Sequence, residues 1–416
     1  MSRFNISENH PLIPNANDYT HEKQFISIHS EDRNVVKYPN ASEFEIELPQ
    51  DYCNVVGVRL DNWCFPSNYN VFSPAQNNVS LVFQIIQPFN PVDYNITDPL
   101  MIIISEALYS NYQKQYVATI QEGFYNPFQM VTELTNKMND IVSRFIATYI
   151  ATNNPSLMAQ FDAIGGYTQF VVVYNTVSQK IWFGNKSSQF VISNSSSLYI
   201  FSEYNNLNQF NNCIKSQQYP DFSNWGLPSH LGFNRCDATS ITSSFGAYPR
   251  FYYGDVNTPG DNGYWLVPDP AYLGTNATIP VYFLEAPYKI NIMGPSHFYI
   301  EVEGMNVIDE TIPFAVNEFT TTTNITNGVV KSAFAKIPVT TTPISQWYDN
   351  YQLATKIYNP PAERIRKMKI KVRYHNGCLV QFGNTDYTLL FEFTILRPMN
   401  NREYKRYNPE PYIGHG

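Results

Sequence analysis

The residues of this chain whose spacing most suggests catalysis are two sets of closely spaced carboxylates. Glu301 and Glu303 are separated by one residue, as are Glu43, Glu45 and Glu47. Two carboxyl groups that flank a glycosidic bond can act as acid and base or nucleophile in glycoside hydrolysis. Residues two apart in an extended segment, however, share one face of a strand. The spacing therefore favours a solvated or partner-facing acidic stripe over a catalytic pair.

Histidines and cysteines form no recognisable reactive motif. The seven histidines are scattered, and the five cysteines contain no CxxC pair and no histidine at metal-ligand spacing. The chain also lacks the G-x-S-x-G, H-E-x-x-H, Walker and G-x-G-x-x-G sequences. We therefore expect no enzyme activity, no catalytic residue, no cofactor and no metal site.

A basic segment, "AERIRKMKIKVRYHNG", is the strongest candidate for a binding surface. Its cations alternate with apolar residues, which predicts a strand with one basic and one buried face. A solvated face is one interpretation, and contact with an acidic partner surface, anionic lipid headgroups or genome is the other. The predicted contact residues are Arg364, Arg366, Lys367, Lys369, Lys371 and Arg373.

Composition limits the classes of function. The net charge of -8 and the pI of about 5.4 argue against specific or general nucleic-acid binding, which needs a basic footprint. Aromatic residues make up 15% of the chain and charged residues another 15%, which favours strands, polar loops and tyrosine-rich contact surfaces. No apolar run has the length of a signal peptide core or a membrane span, so we expect a soluble protein made in a cytosol.

Alternation of polar and apolar residues predicts most of the chain to be β-strand. Two strands, 43–48 and 54–65, are predicted to meet through a turn at Gln50-Asp51. A meander of three strands is predicted within "YTQFVVVYNTVSQKIWFGNKSSQFVIS". Other predicted strands lie at 25–30, 80–87, 100–104 and 114–120.

One amphipathic helix is predicted at about 127–149. Its apolar residues recur at spacings of three and four, Asn126 is a suitable N-cap, and Pro127 suits the first helical position. The predicted apolar face consists of Val131, Leu134, Met138, Ile141, Phe145 and Tyr149.

The last predicted elements form a hairpin. The basic strand 364–375 meets Asn376-Gly377, the preferred pair for a two-residue turn, and the return strand alternates through residues 389–395. Polar, proline-containing ends then give the expected domain organisation. We expect an extended N-terminal arm at 1–24, one domain at 25–396 with a loop-rich insertion at about 202–296, and an extended C-terminal arm at 397–416.

The order of several motifs resembles the minor capsid proteins of nucleocytoplasmic large DNA viruses, of the chlorovirus and mimivirus kind. These motifs are "FEIELPQ", "VGVRLDNWCFPSNYNVFS", "ATIQEGFYNPFQMVTELTNKMN", "YNTVSQKIWF", "SHLGF" and "KIKVRYHNGCLVQFGNTDYTLLFEFTIL". Together they cover most of residues 25–396. The resemblance implies an antiparallel jelly-roll β-sandwich, and the pattern of eight or more strands agrees with it.

The resemblance also implies structural roles for individual residues. Gly123 would permit the turn before the helix, Pro66 would end a strand, and Leu231-Gly232-Phe233 would anchor a loop. The implied function is a minor capsid, or cement, protein that links major capsid capsomers to each other and to the inner shell or membrane of the virion. Its expected partners are the major capsid protein, other minor capsid proteins and the inner membrane, with no small-molecule substrate.

Alternatives remain open at this point. A penton protein and a major capsid protein have related folds. A carbohydrate-binding attachment protein would use tryptophan rings as stacking platforms, and the candidates are Trp182, Trp225, Trp265 and Trp347.

Overall fold

The computed structural model describes ten stretches of the chain. They are residues 19–66, 70–199, 225–243, 248–251, 264–269, 280–310, 331–339, 346–349, 354–375 and 377–398. Most of the two expected arms, most of the expected insertion and turn residue Asn376 lie outside these stretches.

The secondary structure is dominated by strands, numbered in chain order. They are β1 (Tyr19–His29), β2 (Glu43–Pro66), β3 (Ser80–Gln87), β4 (Tyr116–Thr119), β5 (Phe170–Asn175), β6 (Lys180–Asn185), β7 (Gln189–Ile192), β8 (Ala238–Thr239), β9 (Ile241–Ser243), β10 (Val281–Glu285), β11 (His297–Val302), β12 (Ile308–Glu310), β13 (Lys331–Ala333), β14 (Ala335–Pro338), β15 (Gln346–Asp349), β16 (Thr355–Arg373) and β17 (Thr388–Pro398). The helices are α1 (Pro99–Ser110), α2 (Pro127–Asn153), α3 (Met158–Ala163) and α4 (Leu227–His230). The described strands pair antiparallel, and the predicted mainly β, antiparallel fold class is confirmed.

Two compact units divide the chain. Unit 1 is formed within residues 1–69, 295–312 and 329–416, and unit 2 within residues 70–294 and 313–328. Sequence analysis expects one domain at 25–396, whereas unit 1 takes both ends of that range and unit 2 its middle. Alternation along single strands does not reveal which distant strands pair, so this division is not visible in the sequence pattern.

Unit 1 is built on one antiparallel sheet with the strand order β1-β17-β2-β16-β11-β14, and β15 pairs with the end of β2. Strand β2 has 24 residues and pairs with β16 on one side and β17 on the other. Aromatic rings fill the buried side. Phe65 stacks on Tyr387 with ring centroids 4.8 Å apart and meets Phe298 of β11 edge-on at 5.9 Å.

The predicted turn at Gln50-Asp51 is wrong, because β2 runs through it without a break. Its pairing with β16 shifts register near this point, between Ile365 and Lys367 of β16. Asn54 has a φ of 56°, which few residues other than glycine and asparagine adopt. A register shift accommodates a proline because the missing N–H is not needed there, and Pro49 therefore does not end the strand.

The predicted long terminal hairpin is also wrong. Tyr374 donates its N–H to Cys378, and Val380 donates to Val372, so the chain reverses locally beside Gly377. The return strand β17 then pairs with β2 and β1 rather than with β16. The sequence thus predicted the position of the turn, but it did not predict the strands with which the return strand pairs.

Unit 2 contains two four-stranded sheets, with the orders β4-β3-β7-β8 and β5-β6-β10-β9. They contact each other through phenylalanines. The Phe170 ring meets Phe83 of β3 at 5.1 Å and Phe190 of β7 at 5.4 Å, both edge-on. Strands β5 and β6 form the predicted hairpin, whereas β7 joins the other sheet.

The predicted helix is confirmed as α2, although its buried face is rotated slightly from the expected one. Asn126 accepts a hydrogen bond from the Gln129 N–H, and the Gln129 side chain bonds back to the Asn126 N–H, as in a capping box. The buried residues are Met130, Val131, Leu134, Met138, Val142, Ile146 and Ile150. Of the six predicted positions, Ile141, Phe145 and Tyr149 are only half-buried.

A polar stripe on α2 closes the outer edge of β5. Asn139 accepts from the Phe170 N–H at 2.9 Å and donates to the Phe170 carbonyl at 2.8 Å. Thr135 accepts from the Val172 N–H at 3.0 Å, and Ser143 accepts from the Tyr167 N–H at 2.8 Å. The four-residue spacing aligns the three side chains on one side of the helix, so they replace a neighbouring strand.

The predicted strand at 100–104 is wrong, because this segment lies in α1. Asp98 accepts from the Leu100 N–H, and Pro99 occupies the first helical position. Helix α1 is buried on most sides, and a short, fully buried apolar run has no distinctive period. The Asp98-Pro99 start was the sequence feature that could have indicated a helix. The expectation of a single helix is corrected accordingly.

Residues expected to have structural roles are located as follows. Pro66 is the last residue of β2, and Gly123 has a φ of 151° where it bridges to Phe72. Leu231 and Phe233 are buried. Gly232 has a φ of 90°, and a Cβ there would lie 2.2 Å from the Tyr288 carbonyl oxygen, so no larger residue fits.

The closed edge of β5 gives a first prediction. Thr135→Val should lower the free energy of unfolding by about 1–3 kcal/mol, because it leaves the Val172 N–H buried without an acceptor. Thr148→Val is the matched control, since both threonines donate to the carbonyl four residues earlier but Thr148 is exposed. Chemical denaturation of both variants measures the difference, and equal losses would contradict the edge-closing role.

Candidate functional site: a charged sheet face

The six predicted contact residues lie on β16, in the middle of the unit 1 sheet. Arg364, Arg366, Lys367 and Lys369 are exposed, and Lys371 is half-buried. Met368 and Ile370, which alternate with them, are buried. The predicted basic and apolar faces of the strand are therefore both present.

An acidic stripe lies directly beside this basic face. Glu43, Glu45 and Glu47 of β2 stand opposite Lys371, Lys369 and Lys367 of β16 in the strand register. We call these six residues the charged ladder. Three of the carboxylates that could have suggested a glycosidase are thus the partners of lysines on the neighbouring strand.

Ion pairs in the charged ladder run diagonally. Lys367 Nζ lies 3.2 Å from Glu45 Oε1, and Lys369 Nζ lies 3.7 Å from Glu43 Oε1. Beyond the ladder, Arg364 Nη1 lies 3.5 Å from Asp51 Oδ2. Opposite charges on neighbouring strands attract, so the two stripes stabilise the same register that hydrogen bonding requires. This face therefore presents mixed charge rather than a basic patch.

Arg373 differs from the other five cations because its side chain is only 2% exposed. Its prediction as a surface contact is wrong. The guanidinium forms ion pairs with Glu301 and Glu310, and it also donates to the Tyr374 carbonyl at 3.2 Å and the Ser332 carbonyl at 3.3 Å. Arg373 thus connects β11, β12 and β13 to the end of β16.

Glu310 is the other buried member of this cluster, and sequence analysis did not single it out. Its side chain is 2% exposed, and His375 Nδ1 lies 3.1 Å from its Oε1. Burial alone would raise the pKa of Glu310, but hydrogen bonds and positive charge from Arg373 and His375 outweigh burial and lower that pKa. The carboxylate therefore stays ionised, and its role is to hold a buried cation.

A second charge network lies on β1, β17 and β2. Glu392, whose side chain is 7% exposed, is 2.9 Å from Lys23 Nζ and 2.9 Å from Arg59 Nη2. Arg59 also reaches Asp61 at 2.7 Å. A glutamate within the apolar run "LLFEFTIL" was the sequence feature that could have indicated this network, which again pairs opposite charges across neighbouring strands.

The tryptophans proposed as sugar platforms have packing roles where they are described. Trp225 is buried, and Trp182 meets the buried Trp265 edge-on with ring centroids 6.2 Å apart. The Trp347 side chain lies outside the described residues. In the described part of the chain, no group of His, Cys, Asp and Glu side chains is arranged to hold a metal ion. No helix described here is both long enough and apolar enough to cross a membrane.

Comparison with known proteins adds two structural likenesses. No protein-family model and no curated protein matches the sequence. The chain is similar to the mavirus penton protein, with 10% identity and a TM-score of 0.34 over 90% of this chain and 99% of that chain. It is also similar to a chain of the Sputnik virophage structure, with 10% identity and a TM-score of 0.33 over 91% and 98% of the two chains. TM-scores this low do not establish a shared topology.

The charged ladder gives a second prediction. Lys367→Glu or Glu45→Lys alone should lower the free energy of unfolding by about 0.2–1 kcal/mol, because each places like charges together on a solvated face. The double variant should recover part of the loss, because it restores an opposite pair at the Lys367–Glu45 contact, although each exchanged residue still faces a like charge across the register. Denaturation at low and high salt checks this, and a double variant whose loss equals the sum of the two single losses would contradict it.

The buried cluster gives a third prediction, on pH. Because the folded pKa of Glu310 is lowered, its ionisation stabilises the fold above the ordinary glutamate pKa, and this contribution is lost as pH falls through the folded value. Glu310→Gln should cost about 3–5 kcal/mol at neutral pH, because Arg373 loses a buried partner. The difference in the free energy of unfolding between wild type and Glu310→Gln should become smaller as the pH falls.

The measurement is the free energy of unfolding of both proteins between neutral and acidic pH. Glu303→Gln, at an exposed position beside β11, is the control and should behave as wild type at every pH. A Glu310→Gln loss that stays constant with pH would show that ionisation of this carboxyl is not what stabilises the cluster.

Proposed function

We propose that this chain is a minor capsid protein, which links major capsid capsomers to each other and to the inner shell or membrane of a large icosahedral DNA virus. The ordered motifs that resemble such proteins support the proposal. Several of them have defined structural places in the fold: "FEIELPQ" lies in β2, "SHLGF" runs from α4 into the Gly232 turn, and the closing motif covers the end of β16 and β17.

The observation that carries the proposal is the place where the two terminal segments begin. Tyr19 of β1 and Pro398 of β17 are register partners in adjacent strands. The points at which segments 1–18 and 399–416 join the described chain therefore lie side by side, at one corner of the unit 1 sheet. At about 3.3 Å per residue, each segment could reach roughly 60 Å if extended, which is far enough to cross onto a neighbouring subunit.

Two arms from one corner suit a linking protein for a physical reason. An arm that becomes ordered on its partner loses conformational entropy. Once the folded part of the chain has bound its own site, however, the arm is held near that partner at a high effective concentration. Both proposed arms are shorter than the sequence predicts, because Tyr19–Gln24 and Arg397–Pro398 belong to paired strands.

Arg364, Arg366, Lys367, Lys369 and Lys371 remain the proposed contact cations on the sheet face. Because glutamates of β2 pair with this stripe, we propose that its partner surface carries both signs of charge rather than acid alone. The proposed partners are the major capsid protein and other minor capsid proteins, with the inner membrane as a further contact. The proposed location is the virion, after synthesis in the host cytoplasm.

The test is quantitative peptide mass spectrometry of density-purified virus particles, before and after mild detergent removes outer layers. A modest, fixed ratio to the major capsid protein that persists with the inner shell would support the minor capsid role. A copy number that matches the fivefold vertices would instead assign a penton. Presence only in an outer fibre fraction, or absence from particles, would reject both.

Arm deletion gives the fourth prediction. Chains lacking 1–18, 399–416 or both should keep the thermal stability of the full chain, because β1 and β17 are intact, yet particles assembled with them should disrupt at lower temperature. Particle disruption and unfolding of the isolated chains are measured side by side. Particles of unchanged stability with both deletions would contradict the role of the arms.

A further inference from the structure

Most strand edges in the described part of the protein are short or obstructed. Side chains of α2 close the outer edge of β5. The first half of β2 and of β16 each have one described strand neighbour, but these stretches carry Pro49 and Pro360-Pro361 respectively, together with many charges. Prolines and charges on an edge prevent another strand from adding to it.

Strand β1 is the exception among the described strands. It has 11 residues, contains no proline, and pairs with β17 from Tyr19 to His29 without a register shift. It ends the strand order of its sheet, so β17 is its one described neighbour. A long, regular edge of this kind is a template on which another strand can form.

The backbone directions along β1 are set by its pairing with β17. The Ser30 N–H donates to the Tyr387 carbonyl, immediately beyond the last register pair, His29 with Thr388. Hydrogen-bonded and non-hydrogen-bonded pairs alternate in an antiparallel ladder. Even-numbered residues of β1 therefore direct their N–H and C=O groups to β17, and odd-numbered residues direct theirs to the open edge.

Phe25 marks the middle of this edge. Its side chain is 56% exposed, although its neighbours Ile26 and Ile28 are buried. The adjacent Lys23 and Glu22 are already paired with Glu392 and Arg397 within the sheet. An exposed aromatic ring flanked by satisfied charges is typical of a contact surface rather than of a solvated strand face.

We propose that β1 pairs antiparallel with β1 of a second copy of this chain, with Phe25 opposite Phe25. This register places Lys23 opposite Ser27 of the other copy, and it pairs two aromatic rings across the strands. Registers centred on Glu22 or Lys23 would place two like charges opposite each other. The proposed pairing joins the unit 1 sheets of the two copies into one continuous sheet.

The position of the N-terminal segment agrees with this occupant. In the antiparallel arrangement, residue 21 of one copy lies opposite His29 of the other. Tyr19 of each copy would therefore lie opposite Glu31, beyond the end of the partner's β1. The pairing does not depend on the proposed capsid function, because it concerns the isolated chain.

The test is sedimentation of the full-length chain at a series of concentrations. A strand-edge interface is small, so we expect a reversible dimer with a dissociation constant of about 10–100 µM. Ser27→Pro removes an N–H that faces the open edge and should raise the dissociation constant about tenfold or more. Ser27→Ala is the matched control, because both variants lose the Ser27–His29 hydrogen bond but alanine keeps the N–H.

A second pair of variants covers the case in which Ser27→Pro disturbs the fold. Phe25→Lys keeps the backbone donor but opposes two cations, and it should also weaken the dimer about tenfold. Ile357→Lys, which replaces another exposed apolar residue of the same sheet, should not. A wild-type chain that remains monomeric, or a dimer that Ser27→Pro and Phe25→Lys leave unchanged, would overturn the proposal whatever else covers the edge.

Discussion

Backbone pairing of β2 with β16 and β17 is the constraint on which unit 1 depends. These three long strands join the first part of the chain to the last. On the buried side of the sheet, Phe65 of β2 packs against Tyr387, which precedes β17, and against Phe298 of β11. Register in such a sheet is strict, because a shift by one residue would exchange the apolar and charged faces. The position of each surface charge in unit 1 follows from this register.

The same register explains why a chain with an apparent basic stripe does not present a basic surface. Lysines of β16 and glutamates of β2 are more than 300 residues apart in sequence but occupy neighbouring positions on one face. Each stripe alone resembles a binding site for the opposite charge, and together they satisfy one another. At the end of β16, Arg373 and Glu310 repeat this pairing with both side chains buried, which makes the pair intolerant of the loss of either partner.

Local features of the fold were predictable from sequence, whereas long-range features were not. The capped start of α2, the β5–β6 hairpin and strand β3 follow from periodicity and turn residues within about ten positions. The apolar run in α1 had no period, and the choice of β17's neighbour depends on residues far away. For the charged face, alternation gave the correct exposed side of β16 except at Arg373. It could not reveal Glu310 as the partner of Arg373, because nothing local links them.

The division of the chain has a consequence for its synthesis. Unit 2 is formed almost entirely by the uninterrupted stretch 70–294, so its strands can pair while the ribosome is still translating later codons. Strand β2 is made earlier, but it pairs with β16 and β17, which are the last described strands to be made. Contacts between strands so far apart in sequence form slowly. Until β16 and β17 have been made, both edges of this 24-residue strand lack their final neighbours. During translation, β2 is therefore open to non-native strand pairing until the last strands of unit 1 have been made.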